Sequence, residues 1–215
     1  MGDGGERRSQ MDQTERLETA RLWMRPFRRD DVSELHRLFT DPRVRRYLLD
    51  DQVVSIEFVE TEIAKSTALF AARGFGMWSV FLLGQTVLIG FCGFRHFHEP
   101  PELQLLYGIA PAHWNRGLAT EAARAMIRHG FEVNRFDRII ASADAPNTAS
   151  QRVLEKAGMH VEKRVIIKGL DTVYYAIARR TDSAMATTHA CSGCAGSDAA
   201  LALAVESRAE NEKEQ

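Results

Sequence analysis

Residues 113–122, "HWNRGLATEA", place an arginine and a glycine at the start of a helical pattern. A helix N-terminus presents unpaired backbone N–H groups and a partial positive charge, so it attracts anions such as phosphate. Gly117 leaves room for an anion to approach the backbone, Arg116 adds a fixed cation, and Asn115 tolerates left-handed backbone geometry. By themselves, these residues predict either an anion site or a plain connection between a strand and a helix.

Hydrophobic periodicity predicts the elements that would hold this segment in place. Between residues 17 and 180 the pattern reads β-α-α-β-β-β-α-β-α-β-β, which describes a mixed sheet with helices packed on it. Ser55 and Asn147 are predicted to cap the N-termini of helices, and Gly74 to end one. The first helix is expected to end before Pro42.

The composition argues against several classes of function. The formal net charge is -1 over 215 residues, which argues against a broad nucleic-acid-binding surface because phosphate recognition needs a basic excess. No apolar run approaches the roughly 20 residues that span a bilayer, and the polar N-terminus lacks the apolar centre of a secretory signal. The three cysteines cannot form a disulfide framework. We therefore expect a cytoplasmic protein that binds neither nucleic acid nor membrane.

Both ends of the chain differ in composition from its middle. Residues 1–15 are polar and are expected to be flexible, and residues 181–215 form a low-complexity tail that is expected to be disordered. Cys191 and Cys194 have Cys-x-x-Cys spacing, but no second pair completes the four ligands of a structural zinc site. We predict one domain over residues 16–180 and no metal site.

Two motifs resemble those of the GNAT family of N-acetyltransferases. Residues 114–119 are similar to the acyl-CoA signature of the family. Trp114 is typical of the branch that resembles ribosomal-protein-alanine N-acetyltransferases, and Asn115 stands where those relatives usually carry glycine. The stretch "NTASQRVLEKAGM", which begins at Asn147, matches the second hallmark of the family at the expected distance. The resemblance extends over residues 17–180 and includes the order of strands and helices.

This resemblance implies an α/β (α+β) fold with a mixed, mostly antiparallel central sheet and helices on both faces. It implies acetyl-CoA as co-substrate, with the pantetheine arm lying where the strand before the signature splays from the following strand. It also implies direct transfer of the acetyl group to an amine in a ternary complex, with backbone N–H groups around Ile109 stabilising the oxyanion. The implied cofactor-binding residues are Ile109, Asn115, Arg116, Gly117, Leu118, Ala119, Thr120, Asn147 and Ser150.

The departing thiolate needs a hydrogen-bond donor. Many members of the family carry a tyrosine for this purpose, but the corresponding residue in this chain is Leu154. Similar proteins with this departure carry a serine three residues after the asparagine, which is Ser150 in this chain. The resemblance therefore predicts that Ser150 is catalytic. The alternative is a surface serine that bonds to its own helix backbone.

The residue that accepts the proton of the amine is a separate question. Relatives often carry a carboxylate at the position of Gln104, and glutamine cannot accept a proton at neutral pH. Glu102 lies two residues earlier, so strand alternation points both side chains to the same face. Glu102 and Gln104 are therefore the candidate catalytic residues of this strand. The alternatives are that Glu102 is merely solvated, that His96 or His98 acts instead, or that a water chain carries the proton.

No motif identifies the amine acceptor, and three hypotheses stay open. The branch resemblance favours a peptide or protein N-terminal α-amine, and a small-molecule amine such as an antibiotic or polyamine is the second hypothesis. The third is a catalytically weak acyl-CoA-binding sensor module, because Gln104 and Leu154 replace commonly assigned base and acid residues. Trp78 and Tyr107 are predicted to contact the acceptor, with core packing as the alternative. We expect a monomer or a homodimer.

Overall fold

The computed structural model describes residues 16–97, 102–167 and 169–179. The two predicted flexible ends, His98 and the Cys191 and Cys194 pair lie outside the described residues. The strands of the described part are β1 (Leu17–Glu18), β2 (Leu22–Pro26), β3 (Met77–Leu82), β4 (Leu88–Phe97), β5 (Glu102–Ile109), β6 (Arg138–Asp144), β7 (His160–Ile167) and β8 (Leu170–Ala178). Its α-helices are α1 (Val32–Thr40), α2 (Pro42–Leu48), α3 (Ile56–Arg73), α4 (Leu118–Glu132) and α5 (Thr148–Lys156).

The strands form a single mixed sheet in the order β1-β2-β3-β4-β5-β6-β8-β7. All neighbours are antiparallel except β5 and β6, which run parallel and share a single register pair, Gln104 with Ile140. Beyond this pair the two strands separate into a V. The predicted fold class is confirmed, and so is the predicted splay between the strand before the acyl-CoA signature, β5, and the following strand, β6.

Two hydrophobic clusters lie on opposite faces of the sheet. Leu118, Met126 and Leu154 bring α4 and α5 against one face. Leu35 and Val59 are buried in the other cluster, with α1, α2 and α3. Because strand residues alternate, Leu105 and Tyr107 of β5 belong to the α4/α5 face, whereas Gln104 and Leu106 belong to the face of α1, α2 and α3. Within the described part, no helix is long and apolar enough to cross a membrane.

Local signals place most helix ends where the sequence predicts them. The Ser55 side chain accepts a hydrogen bond from the backbone N–H of Phe58, and Gly74 ends α3 in left-handed geometry with φ 75°. The first helix ends at Thr40, before Pro42 as predicted, and Pro42 begins the further helix α2, which the sequence pattern does not predict. Asp41 caps α2, and proline is favoured in the first turn of a helix, where it has no N–H to leave unpaired.

A buried ion pair fixes the start of α1 against the sheet. The guanidinium of Arg25 on β2 donates to both carboxylate oxygens of Asp31, at 2.8 and 2.7 Å. The Ser79 hydroxyl on β3 donates to the same carboxylate at 2.7 Å, and the backbone N–H of Arg28 does so at 2.9 Å. Burial alone would raise the pKa of Asp31, but these hydrogen bonds outweigh burial and hold the pKa below its ordinary value.

Candidate active site

A cleft of about 860 Å³ opens where β5 and β6 separate. Its walls come from β5, β6 and β8, from the turn before α4 and the first turn of α4, from α5, and from α2 with the segment after it. Most residues that the sequence singles out line this cleft, namely Gln104, Tyr107, Ile109, Asn115, Gly117, Leu118, Ala119, Thr120, Asn147 and Ser150. The fold therefore brings the two sequence motifs to one concave surface.

The turn before α4 has the geometry that an anion site requires. Asn115 and Gly117 both have left-handed backbones, with φ 59° and 74°, and Gly117 is the N-cap of α4. A Cβ on Gly117 would meet only one atom within 4 Å, the Arg21 Nη2 at 3.6 Å, so the space in front of the helix is open. The free N–H groups of the first turn of α4 face this space. A helix N-terminus of this geometry can accept a phosphate.

Arg21 adds a cation to this turn that the sequence analysis does not identify. Its Nη1 donates to the Arg116 carbonyl at 2.8 Å, and its Nε donates to the Glu121 carboxylate at 2.7 Å. Glu121 also accepts from the Thr19 hydroxyl at 2.6 Å. The turn between β1 and β2 is thereby tied to the N-terminus of α4. These contacts place the Arg21 charge beside Gly117.

The Tyr107 phenol positions Ser150, the residue that is predicted to donate a hydrogen bond to the departing thiolate. The phenol oxygen lies 2.6 Å from the Ser150 Oγ and donates to the Ser150 carbonyl at 3.1 Å. Burial raises the pKa of Tyr107 above its ordinary value, so the phenol stays protonated. The Asn147 side chain accepts from the Ser150 backbone N–H at 3.1 Å, which caps α5 as predicted. The Ser150 hydroxyl is thus fixed at the edge of the cleft.

We expect Ser150→Ala to lower kcat by about 10- to 100-fold, because a hydrogen bond to a charged group is worth roughly 1.5–3 kcal/mol. Tyr107→Phe should lower kcat less, since the serine remains but loses its orientation. Steady-state kinetics with both single variants and the double variant tests this arrangement. The double variant should be no slower than Ser150→Ala, whereas losses that multiply would show that Tyr107 acts independently of Ser150.

Three residues predicted to belong to the site lie outside the lining of the cleft. Trp78 is 4% exposed and packs in the core against Phe70 and His129, as the alternative of core packing expects, and it does not line the cleft. Glu102 begins β5 and forms an ion pair with Arg138 at 3.9 Å. The Arg116 side chain is directed to His113 at 3.2 Å, and its carbonyl receives Arg21.

Two carboxylates that the sequence analysis does not single out line the cleft. Asp144 ends β6, and Asp50 follows α2 with a left-handed backbone at φ 50°. Burial and the negative charge of Asp50 raise the pKa of Asp144 above its ordinary value. The sequence offers one indication of Asp144, since this residue lies three positions before Asn147 of the second motif. Only the separation of β5 and β6 in the structure shows that Asp144 borders the cleft.

Helix α2 supplies cationic and aromatic groups to the same cleft. Arg43, Arg46 and Tyr47 line it, and the Arg46 guanidinium lies over the Tyr47 ring, 5.3 Å from its centroid. Arg43 is paired with Asp41 at 2.8 Å. The end of the cleft under α2 therefore carries both signs of charge.

Comparisons with known proteins agree with this geometry. Residues 21–160 match the family model described as acetyltransferase (GNAT) domain. YnaD of Bacillus subtilis (strain 168), described as an uncharacterized N-acetyltransferase, is 30% identical over 167 residues, which cover 75% of this chain and 95% of YnaD. The spermidine N(1)-acetyltransferase of Escherichia coli (strain K12) is 26% identical over 140 residues, which cover 65% of this chain and 73% of that enzyme. A solved structure with the same fold is that of RimL, a ribosomal L7/L12 alpha-N-protein acetyltransferase, in complex with coenzyme A. It matches this chain with a TM-score of 0.66 at 19% identity, and the match covers 76% of this chain and 98% of the RimL chain.

Proposed function

This chain belongs to the GNAT family of acetyltransferases, and we propose that its acceptor is the α-amine at the N-terminus of a peptide or protein. Membership makes it an acetyl-CoA-dependent N-acetyltransferase. Membership in the family does not identify the acceptor, because RimL is described as acting on a protein α-amine and another relative as acting on spermidine.

The mixed charge under α2 is the observation that supports a peptide acceptor. A polyamine carries positive charge along its whole length and is favoured by a cleft lined with carboxylates alone. In this chain Arg43 and Arg46 line the cleft together with Asp50 and Asp144. A peptide N-terminus has one cationic amine followed by carbonyl oxygens, which accept hydrogen bonds from arginine. Its charge pattern matches the cleft better than that of a polycation.

The reaction that we propose is direct attack of the amine on the thioester of acetyl-CoA. The phosphates of acetyl-CoA would lie at the N-terminus of α4, near Gly117 and Arg21, and the pantetheine between β5 and β6. Ser150 would donate to the sulfur as the C–S bond breaks. Cys92, the one cysteine among the described residues, is fully buried and does not line the cleft, so its thiol is not placed to form an acyl-enzyme there.

A small-molecule amine is the second candidate, and the two cleft carboxylates favour it. Asp50 and Asp144 would together hold a dication, as a short polyamine provides. The similarity of this chain to the spermidine N(1)-acetyltransferase of Escherichia coli also supports this candidate.

The test is turnover of acetyl-CoA with matched acceptors. One peptide carries a free N-terminus and an internal lysine, a second has the same sequence with its N-terminus blocked, and spermidine is the third acceptor. Release of free thiol measures the rate, and mass spectrometry locates the acetyl group. We expect acetylation of the free α-amine only. A higher kcat/KM for spermidine would contradict the peptide proposal, and CoA binding without turnover of any amine would support the sensor hypothesis.

A further inference from the structure

We infer that Asp144 is the residue that takes the proton from the acceptor amine. This inference rests on the proposed function, because it names the base of that same reaction. It replaces Glu102, whose carboxylate stands outside the lining of the cleft and faces Arg138.

The register of the sheet places Asp144 at the V between the strands. Gln104 and Ile140 form the single register pair between β5 and β6, and both strands run in the same direction. Four residues farther along each strand, Asp144 stands across the opening from Gly108. Both residues line the cleft. Asp144 therefore borders the space in which the family's pantetheine arm would end.

Alternation along β6 places the Asp144 carboxylate on the face of the sheet that carries α2. Ile139, Ala141 and Ala143 pack in the cluster with α4 and α5, so Ser142 and Asp144 point to the opposite face. Ser150 belongs to α5 on the first face. A base and a thiolate donor thus lie on opposite sides of the split. This is the arrangement needed if the amine approaches from one side and the sulfur leaves toward the other.

The backbone of Asp144 is fixed, whereas its side chain is free to accept a proton. The Asp144 carbonyl accepts from the Asn147 N–H at 2.8 Å, and Asp144 pairs with Thr172 on β8. Across residues 16–97, 102–167 and 169–179, no side chain donates a hydrogen bond to the Asp144 carboxylate or forms an ion pair with it. By contrast, Asp31 and Glu121 each form an ion pair with an arginine.

Burial in the wall of the cleft favours an Asp144 carboxylate that binds a proton more readily than usual. Burial raises the pKa of Asp144, and the charge of Asp50 raises it further. The other ionisable groups that line the cleft come from α2, the turn before α4, α5, β5 and β8, and they are Arg43, Arg46, Tyr47, His113, Arg152, Lys156, Tyr107 and Tyr174. A general base works best when its pKa approaches the working pH.

The proton balance of the reaction then closes. An α-ammonium with an ordinary pKa near 8 gives one proton to Asp144 and becomes a neutral amine. The nitrogen lone pair forms the N–C bond to the thioester carbonyl, and the C–S bond breaks. The second nitrogen proton leaves as the amide forms and passes to the thiolate through the Ser150 hydroxyl, which gives one proton to the sulfur and takes one back. Asp144 returns its proton to solvent, so one proton is released per acetyl group transferred.

The test compares four carboxylate-to-amide variants of the full chain, using the peptide acceptor with a free N-terminus. Asp144→Asn should lower kcat by about 100-fold or more, which is the usual contribution of a general base, while its Kd for CoA stays unchanged. Asp50→Asn retains Asp144 but removes the negative charge that helps to raise the pKa of Asp144. The acid limb of the kcat–pH profile should therefore move to lower pH. Asp137→Asn removes a carboxylate that is outside the cleft and 86% exposed, so it should match the wild type.

Two results would overturn the inference. One is an Asp144→Asn enzyme that keeps the kcat and the pH profile of the wild type. The other is a comparable loss with Glu102→Gln alone, which would return the role of base to Glu102. Failure of the proposed function looks different, because the wild type itself would then acetylate no α-amine.

Discussion

A Gly117→Asp variant is expected to bind CoA at least about 100-fold more weakly than the wild type. The backbone of Gly117 has φ 74°, a conformation that aspartate tolerates better than most residues. The new carboxylate would stand where the pyrophosphate is expected, and two unit charges 4 Å apart repel by roughly 4 kcal/mol at an effective dielectric of 20. Isothermal titration calorimetry with CoA measures the loss.

Gly117→Asn is the matched control for that loss. Asparagine has the same shape and the same tolerance of left-handed geometry, but no charge. It should weaken CoA binding much less than aspartate does, and the gap between the two variants should narrow as salt is added. Equal losses in both variants would show that bulk rather than charge matters, and no loss in either would remove the anion site from this turn.

The largest expected effect on stability is that of Asp31→Asn. The substitution removes the Asp31 carboxylate and leaves the Arg25 guanidinium, which is only 14% exposed, without its partner. Breaking one side of a buried ion pair costs about 3–5 kcal/mol. Urea denaturation followed by circular dichroism measures the free energy of unfolding. Because the ion pair anchors α1, and α2 follows α1 directly, we also expect the part of the cleft under α2 to loosen.

The pH dependence of this difference follows from the lowered pKa of Asp31. The stabilisation is fully present above the ordinary carboxyl pKa and is lost as the pH falls through the folded-state value. The gap between wild type and Asp31→Asn should therefore shrink in acid. Asp171→Asn breaks an exposed pair with Arg164 and should leave the free energy of unfolding nearly unchanged. A small effect of Asp31→Asn at neutral pH would contradict the account of the buried network.

Much of the fold and the cofactor side of the cleft could be predicted because local chemistry encodes them. The cap at Asn147 and the left-handed turn at Asn115 and Gly117 each need particular residues at particular places. The same glycine and asparagine also carry the family motifs. For this reason the predicted residues of the α4 turn and of the start of α5 meet in one cleft, apart from the Arg116 side chain.

The acceptor side could not be predicted in the same way, because it is assembled from distant parts of the chain. Arg21 reaches Gly117 only through the β1–β2 turn, and Asp50 faces Asp144 only once α2 packs on the sheet. Trp78 is predicted to contact the acceptor but packs in the core, because a tryptophan on a central strand can either line a groove or fill the core. Three-dimensional packing decides between these outcomes, and no short-range pattern reports it.

The most direct test of the account is a crystal structure of the chain with CoA and a peptide that has a free N-terminus. We predict that the pyrophosphate lies on the N–H groups of Gly117 to Thr120 and that the sulfur lies within hydrogen-bond distance of the Ser150 hydroxyl. The peptide nitrogen should face Asp144 from the side of α2. A CoA molecule bound away from the opening between β5 and β6, or a peptide amine that points away from Asp144, would contradict the account.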